Sequence, residues 1–161
     1  MIQPDSPATV VLGLGSLIRS DDGVGVHAVQ RLQADGRVPA DVQLLDGGTL
    51  GLTLLNHVSG ARRLLVIDAV DLGAPAGTFV RLEGEELRGM PGSGSVHQLG
   101  VADLLAALRI TGQEPDEVVV LGIQPASTDL GASLSPSVVA ALDQIIEAAV
   151  AQLSKWLQPA V

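Results

Sequence analysis

With 161 residues, 47% of them hydrophobic, the chain is long enough to bury a sizeable core and too apolar to be disordered. It contains no cysteine, which excludes disulfides, thiol nucleophiles, iron–sulfur clusters and cysteine-ligated zinc. Nine Lys and Arg against eighteen Asp and Glu give a formal net charge of −9, which disfavours nucleic acid and anionic membranes as partners.

Thr9-Val10-Val11-Leu12-Gly13-Leu14 predicts a first strand over residues 9–14, continuous and β-branched as in a strand buried on both faces. A polar turn over 15–25 leads into a helix over 24–33, with Val26, Val29 and Leu32 on one side. A second short strand is expected over 42–45, ending at Asp46-Gly47-Gly48-Thr49, and a short helix over 50–58. Residues 63–68 read as a third strand around the apolar run Leu64-Leu65-Val66-Ile67. A fourth, over 77–82, follows so closely that a hairpin or edge position is expected. Residues 83–95 read as loop, 98–109 as a helix and 117–123 as the fifth strand. Ser135 and Pro136 then supply an N-cap and a first-turn proline. Val138, Leu142, Ile145, Ala149, Leu153 and Trp156 recur at helical spacing after them.

Strands alternating with helices predict one domain over residues 1–161, with a mostly parallel sheet covered on both faces. Aromatic residues make up only 1%, essentially Phe79 and Trp156, so the core must be aliphatic. The N-terminus lacks the basic start of a secretion signal. No apolar run approaches the roughly 20 residues that span a bilayer. A soluble, cytoplasmic protein is expected.

Right-handed crossovers put the strand-to-helix loops on one edge of such a sheet, where ligands bind. Asp68 leaves the third strand there directly. A carboxylate in that position is costly unless it pairs, binds a metal, or caps a loop through backbone amides. Asp21 and Asp22 precede a helix, where acidic residues complement the dipole; one can cap while the other faces the cleft. Gly23 and Gly25 permit close backbone approach. His97 lies in a loop before a helix, as a turn residue or a metal ligand. Asp22, Asp68 and His97 together make a two-carboxylate, one-imidazole set suited to a borderline divalent ion such as nickel or zinc. His27 and His57 read as surface or packing residues. Asp46 and its glycines either shape the cleft floor or form a self-capping turn.

A competing reading is a dinucleotide site, since Gly13-x-Gly15 follows the first strand and Asp46 ends the second. The third glycine of that motif should fall at position 18, which is Ile18, and Asp21-Asp22 would repel phosphate. Neither a His-Glu-x-x-His helix nor a Gly-x-Ser-x-Gly elbow is present.

Several segments together resemble the hydrogenase maturation endopeptidase family. They are Gly13-Leu14-Gly15-Ser16-Leu17-Ile18-Arg19-Ser20-Asp21-Asp22-Gly23-Val24-Gly25, Leu45-Asp46-Gly47-Gly48-Thr49-Leu50-Gly51-Leu52, Val66-Ile67-Asp68-Ala69-Val70, His97-Gln98-Leu99-Gly100 and Gly122-Ile123-Gln124-Pro125. The resemblance implies a three-layer α/β/α sandwich with a mostly parallel five-stranded sheet. It implies an endopeptidase, grouped with aspartic-type peptidases, that removes the C-terminal extension of a nickel–iron hydrogenase large-subunit precursor after nickel insertion. The family's metal-contact positions carry over to Asp22, Asp68 and His97, which serve as both the catalytic and the metal set. Nickel is then supplied by the precursor, and no organic cofactor is expected. Ser16 stands where Asn is common, and Asp22 where some members have Glu. The remaining expectation is a monomer, with a non-catalytic precursor binder of the same fold as the alternative.

Overall fold

The computed structural model describes residues 7–48, 53–89 and 100–158. Strands β1 (Thr9–Leu14), β2 (Gln43–Gly48), β3 (Arg63–Ala69), β4 (Phe79–Glu83) and β5 (Glu117–Ile123) form one sheet in the order β2-β1-β3-β5-β4. The β1–β2, β1–β3 and β3–β5 pairs are parallel; only the β4–β5 pair is antiparallel. Helices α1 (Val24–Gln33), α2 (Leu54–Val58), α3 (Val101–Ile110) and α4 (Pro136–Trp156) cover it.

Side-chain alternation along the central strands divides the core in two. Val11, Leu65, Ile67, Val119, Leu121 and Ile123 pack with α1 and α4. Val10, Leu12, Leu14, Leu64, Val66 and Val120 pack with α2 and α3. The expected three-layer sandwich is therefore present. β1 is buried at every position, which accounts for its unbroken apolar sequence. Helix α4 buries Val138, Leu142, Ile145, Ala149, Leu153 and Trp156, the residues its periodicity marks out. Its 21 residues, at a hydropathy of 1.3, are long and apolar enough to cross a membrane, which corrects the reading that no stretch has that length. That apolar stripe is the one packed on the sheet and α1.

Three local expectations shift. β2 continues through Asp46 to Gly48, because these residues still pair with β1 as far as Leu14. Gly84–Gly89, expected as loop, forms 3-10 turns. β4 is an edge strand as expected, but its partner is β5 and no hairpin forms with β3. The reason is a latch at Gln124, beyond the end of β5. Its backbone N–H donates to Thr78 O at 2.9 Å, and its carbonyl accepts Gly77 N–H at 2.8 Å. Its buried side-chain Oε1 accepts the Leu72 and Ala74 amides at 2.6 and 3.3 Å. The β3–β4 connection is thus drawn past β5 before it turns back.

A second fastening joins the loops after β1 and β5. Asp21, fully buried, accepts four hydrogen bonds. They come from Ala126 N (2.8 Å), Ser127 N (3.2 Å), Ser135 N (2.7 Å) and Ser135 Oγ (2.8 Å). Ser135 occupies the expected N-cap position of α4, but its hydroxyl serves Asp21 and makes no cap bond. Burial pushes the Asp21 carboxyl pKa up, and these donors outweigh it, leaving the group below its ordinary value. Its contribution to stability is therefore complete at neutral pH and is lost as pH falls through that depressed pKa.

Asp21→Ala strands these donors in a buried site and is expected to cost about 3 kcal/mol or more. Urea unfolding at pH 7, with hydrogen exchange at the Ala126, Ser127 and Ser135 amides, checks this. A loss under about 1 kcal/mol would show that the loops are held by something else.

Candidate active site

Two glycines bring the first loop onto the sheet. A Cβ at Gly25, in the first turn of α1, would lie 2.1 Å from Ile67 O and 2.6 Å from Leu14 O. The helix start is thus pressed against the ends of β1 and β3, as the close-approach expectation requires. At Gly15, with φ of +112°, a Cβ would fall 1.8 Å from the carbonyl oxygen of Asp22. The chain can fold Asp22 back over position 15 only because no side chain is there.

Asp22 lies in the 3-10 turn Ser20–Gly23 and accepts the Ser16 backbone N–H on Oδ2 at 2.8 Å. The backbone of residue 16 supplies this bond, so Ser in place of Asn leaves it intact. Asp68 sits next to Ile67 at the end of β3, in register with Gly122 of β5. By alternation it belongs to the same sheet face as Leu64 and Val66, the face covered by α2 and α3.

Asp22 and Asp68 lie near enough for the charge of one to act on the other. Asp68 keeps some contact with solvent but is hemmed in by protein. Burial pushes its pKa up to about 8, the Asp22 charge adds to this, and the Ala69 N–H opposes both. Burial and the Asp22 charge thus both favour the protonated form of the Asp68 carboxyl. His97 lies outside the described residues. Among the described residues no group of three or more His, Cys, Asp or Glu is placed to hold a metal ion.

The other expectations separate. Asp46 lies exposed within β2, opposite Gly13 of β1, in place of a self-capping turn after the strand. His27 is half-buried on α1 with Nε2 enclosed and without a hydrogen-bond partner among the described residues, and His57 is exposed, as packing and surface residues should be. Asp21 is a structural carboxylate whose role sequence reasoning missed. Its partners lie 105 to 114 residues away, so no local pattern announced them. A cleft of about 750 Å³ at the opposite end of the sheet is lined by Arg63, Arg109, Glu114, Glu117 and Trp156 among others. Two of its bases face acids, Arg63 with Glu117 and Arg109 with Glu114, each at 3.6 Å, and acids and bases both line the rest, so no sign of charge dominates there.

Because the folded state binds the Asp68 proton more firmly than the unfolded chain, this group favours folding fully below about pH 4. That contribution is lost as pH rises towards about 8. Asp68→Asn, which cannot ionise, is expected to melt above the wild type. The gap should be small at pH 5, reach roughly 5 °C or more by pH 8 and stay level beyond. Parallel melting curves across that range would contradict the buried, charge-crowded setting.

The comparisons with known proteins agree with this fold. The model of the hydrogenase maturation protease family matches residues 26–152. The hydrogenase expression/formation protein HupD of Rhodobacter capsulatus is 39% identical over 150 residues, covering 91% of this chain and 71% of that protein. The hydrogenase 2 maturation protease of Escherichia coli (strain K12) is 36% identical over 147 residues, 89% of each. Among solved structures, the hydrogenase maturating endopeptidase HybD from E. coli matches with a TM-score of 0.84 at 34% identity, over 92% of this chain and 93% of that one. The [NiFe] hydrogenase maturation protease HybD from Thermococcus kodakarensis matches with a TM-score of 0.71 at 29% identity, over 90% and 98%. Sequence and fold agree over most of the chain, and the protein accordingly belongs to the hydrogenase maturation protease family, as a peptide-bond hydrolase.

Proposed function

We propose that this protein removes the C-terminal extension of a nickel-loaded hydrogenase large-subunit precursor. In this reading it recognises the substrate-bound nickel through Asp22, Asp68 and His97. The observation that carries it is the gathering of Asp22 and Asp68 at the carboxyl edge of the sheet, where the charge of one raises the pKa of the other. A fold tolerates two crowded acids where a cation relieves them. His97 precedes the start of α3 by four positions in sequence, and α3 covers the sheet face to which Asp68 belongs. That order favours an imidazole completing the set.

Nickel arrives in this scheme as part of the substrate. Two carboxylate oxygens and one imidazole nitrogen suit a borderline divalent ion and leave positions for ligands from the precursor. Docking then tests for nickel and positions the scissile peptide together. A water deprotonated by a carboxylate, or polarised by the nickel, attacks the scissile carbonyl. The first route is the sense in which an aspartic-type label applies. The reading includes a cytoplasmic monomer with no organic cofactor, no nucleic acid and no membrane partner. The lack of cysteine, the net charge of −9 and the packing of the apolar stripe of α4 favour it.

Asp22→Asn, Asp68→Asn and His97→Ala are each expected to stay folded and to slow tail removal by about a hundredfold or more. The assay is a mass shift of nickel-loaded precursor. Wild-type processing by any of the three removes that residue from the set. Equal processing of nickel-free precursor would rule out the nickel check.

A further inference from the structure

Six large hydrophobic side chains are exposed among the described residues: Leu17, Ile18, Leu72, Ile110, Leu130 and Val139. Single exposed hydrophobics need no explanation. Four of these, however, lie in the loops that leave the carboxyl ends of β1, β3 and β5, around Asp22 and Asp68. Ile18 is 66% exposed and Leu130 79%.

Ile18 and Leu130 also stand beside each other. Arg19 and Gly131 form an isolated parallel bridge, with Gly131 N–H donating to Ile18 O and Ser20 N–H to Gly131 O, both at 2.9 Å. The preceding residues, Ile18 and Leu130, therefore sit on adjacent parallel segments. The backbone beneath them is fixed. Ser20, at a φ of 52°, donates its hydroxyl to Asp129 O at 2.8 Å, and Asp21 ties the same two loops together. The patch is a preorganised apolar platform, so little ordering cost opposes binding on it.

We propose that Ile18 and Leu130 are specificity residues that dock an apolar segment of the precursor polypeptide beside the bond to be cut. This rests on the endopeptidase reading above and adds the means by which protein, in addition to metal, is recognised. The platform is continuous with the candidate active site: Ile18 lies two residues from Ser16, whose amide holds Asp22. Two side chains with Leu17 beside them fall far short of the roughly 800 Å² per partner that a stable dimer buries. They suit a short extended segment anchored next to a reacting centre.

The test compares Ile18→Asp, Leu130→Asp and, at the far end of α3, the equally exposed Ile110→Asp. Each is measured for melting temperature, for kcat and KM on nickel-loaded precursor, and for precursor affinity by direct binding. All three are expected to melt like the wild type. Ile18→Asp and Leu130→Asp should raise KM and Kd about tenfold with kcat little changed, and Ile110→Asp should change neither. Unchanged Kd in both platform variants overturns the proposal. So does an equal loss in Ile110→Asp, or a wild-type dimer that Leu130→Asp dissociates without altering Kd. A wild type that binds precursor without cutting it defeats the endopeptidase reading, while the Kd comparison still decides the platform.

Discussion

The site depends on a buried carboxylate that does no chemistry. Asp21 is enclosed at a point where an unpaired anion would be prohibitive, and four donors from the far loop make it stable there. Those donors come from the segment between β5 and α4, so this side chain joins the backbone bridge between Arg19 and Gly131 in setting the spacing of the two loops that rise from β1 and β5. The next residue, Asp22, inherits its position. With Asp21 drawn towards Ser135, Asp22 turns back over Gly15 and takes the Ser16 amide. Two adjacent acids of identical chemistry thus divide into a buried fastening and a half-buried carboxylate on the loop, according to what surrounds each.

Asp21 and Asp68 make the same comparison across the sheet. Both are carboxylates at its carboxyl edge, and burial pushes both pKa values up. Asp21 ends below its ordinary value because hydrogen bonds from three residues favour its ion. Asp68 ends at about 8, because the Ala69 amide faces both burial and the Asp22 charge. Satisfied charge is what a fold needs, whereas crowded charge is what a site offers to an incoming cation. The number of donors on each group separates the two acids more directly than their places in the sequence.

Much of the fold is legible in the sequence where its cause is local. β1, β5 and α1 begin and end where apolar runs and helical spacing place them, because burial on both faces and one-sided packing leave direct marks on composition. The partner of β4 left no such mark. It is set by Gln124 gripping residues 72 to 78, a contact between segments about fifty positions apart. Asp21 was misjudged for a related reason: an acidic pair before a helix has a ready dipole explanation, and the donors that decide its role are more than a hundred residues distant. Asp22 and Asp68 stand out in the sequence because the topology rule sends chemistry to the ends of parallel strands, and the charge of Asp22 does act on Asp68. His97 lies outside the described residues, so its place in that pair rests on sequence order and resemblance.

The glycine spacing after β1 shows how one local pattern can serve opposite chemistry. In a dinucleotide site the glycines open a tight turn, and a helix N-terminus follows at once to meet the pyrophosphate. Here Gly15 carries a positive φ as such a turn requires, but the space it leaves is filled by the Asp22 carbonyl. Helix α1 begins only at Val24, after a 3-10 turn bearing two acids. A phosphate entering that loop would meet carboxylates where it needs N–H groups. The missing side chain that elsewhere makes room for an anion here makes room for an acidic residue, and the loop is closed to phosphate for that reason.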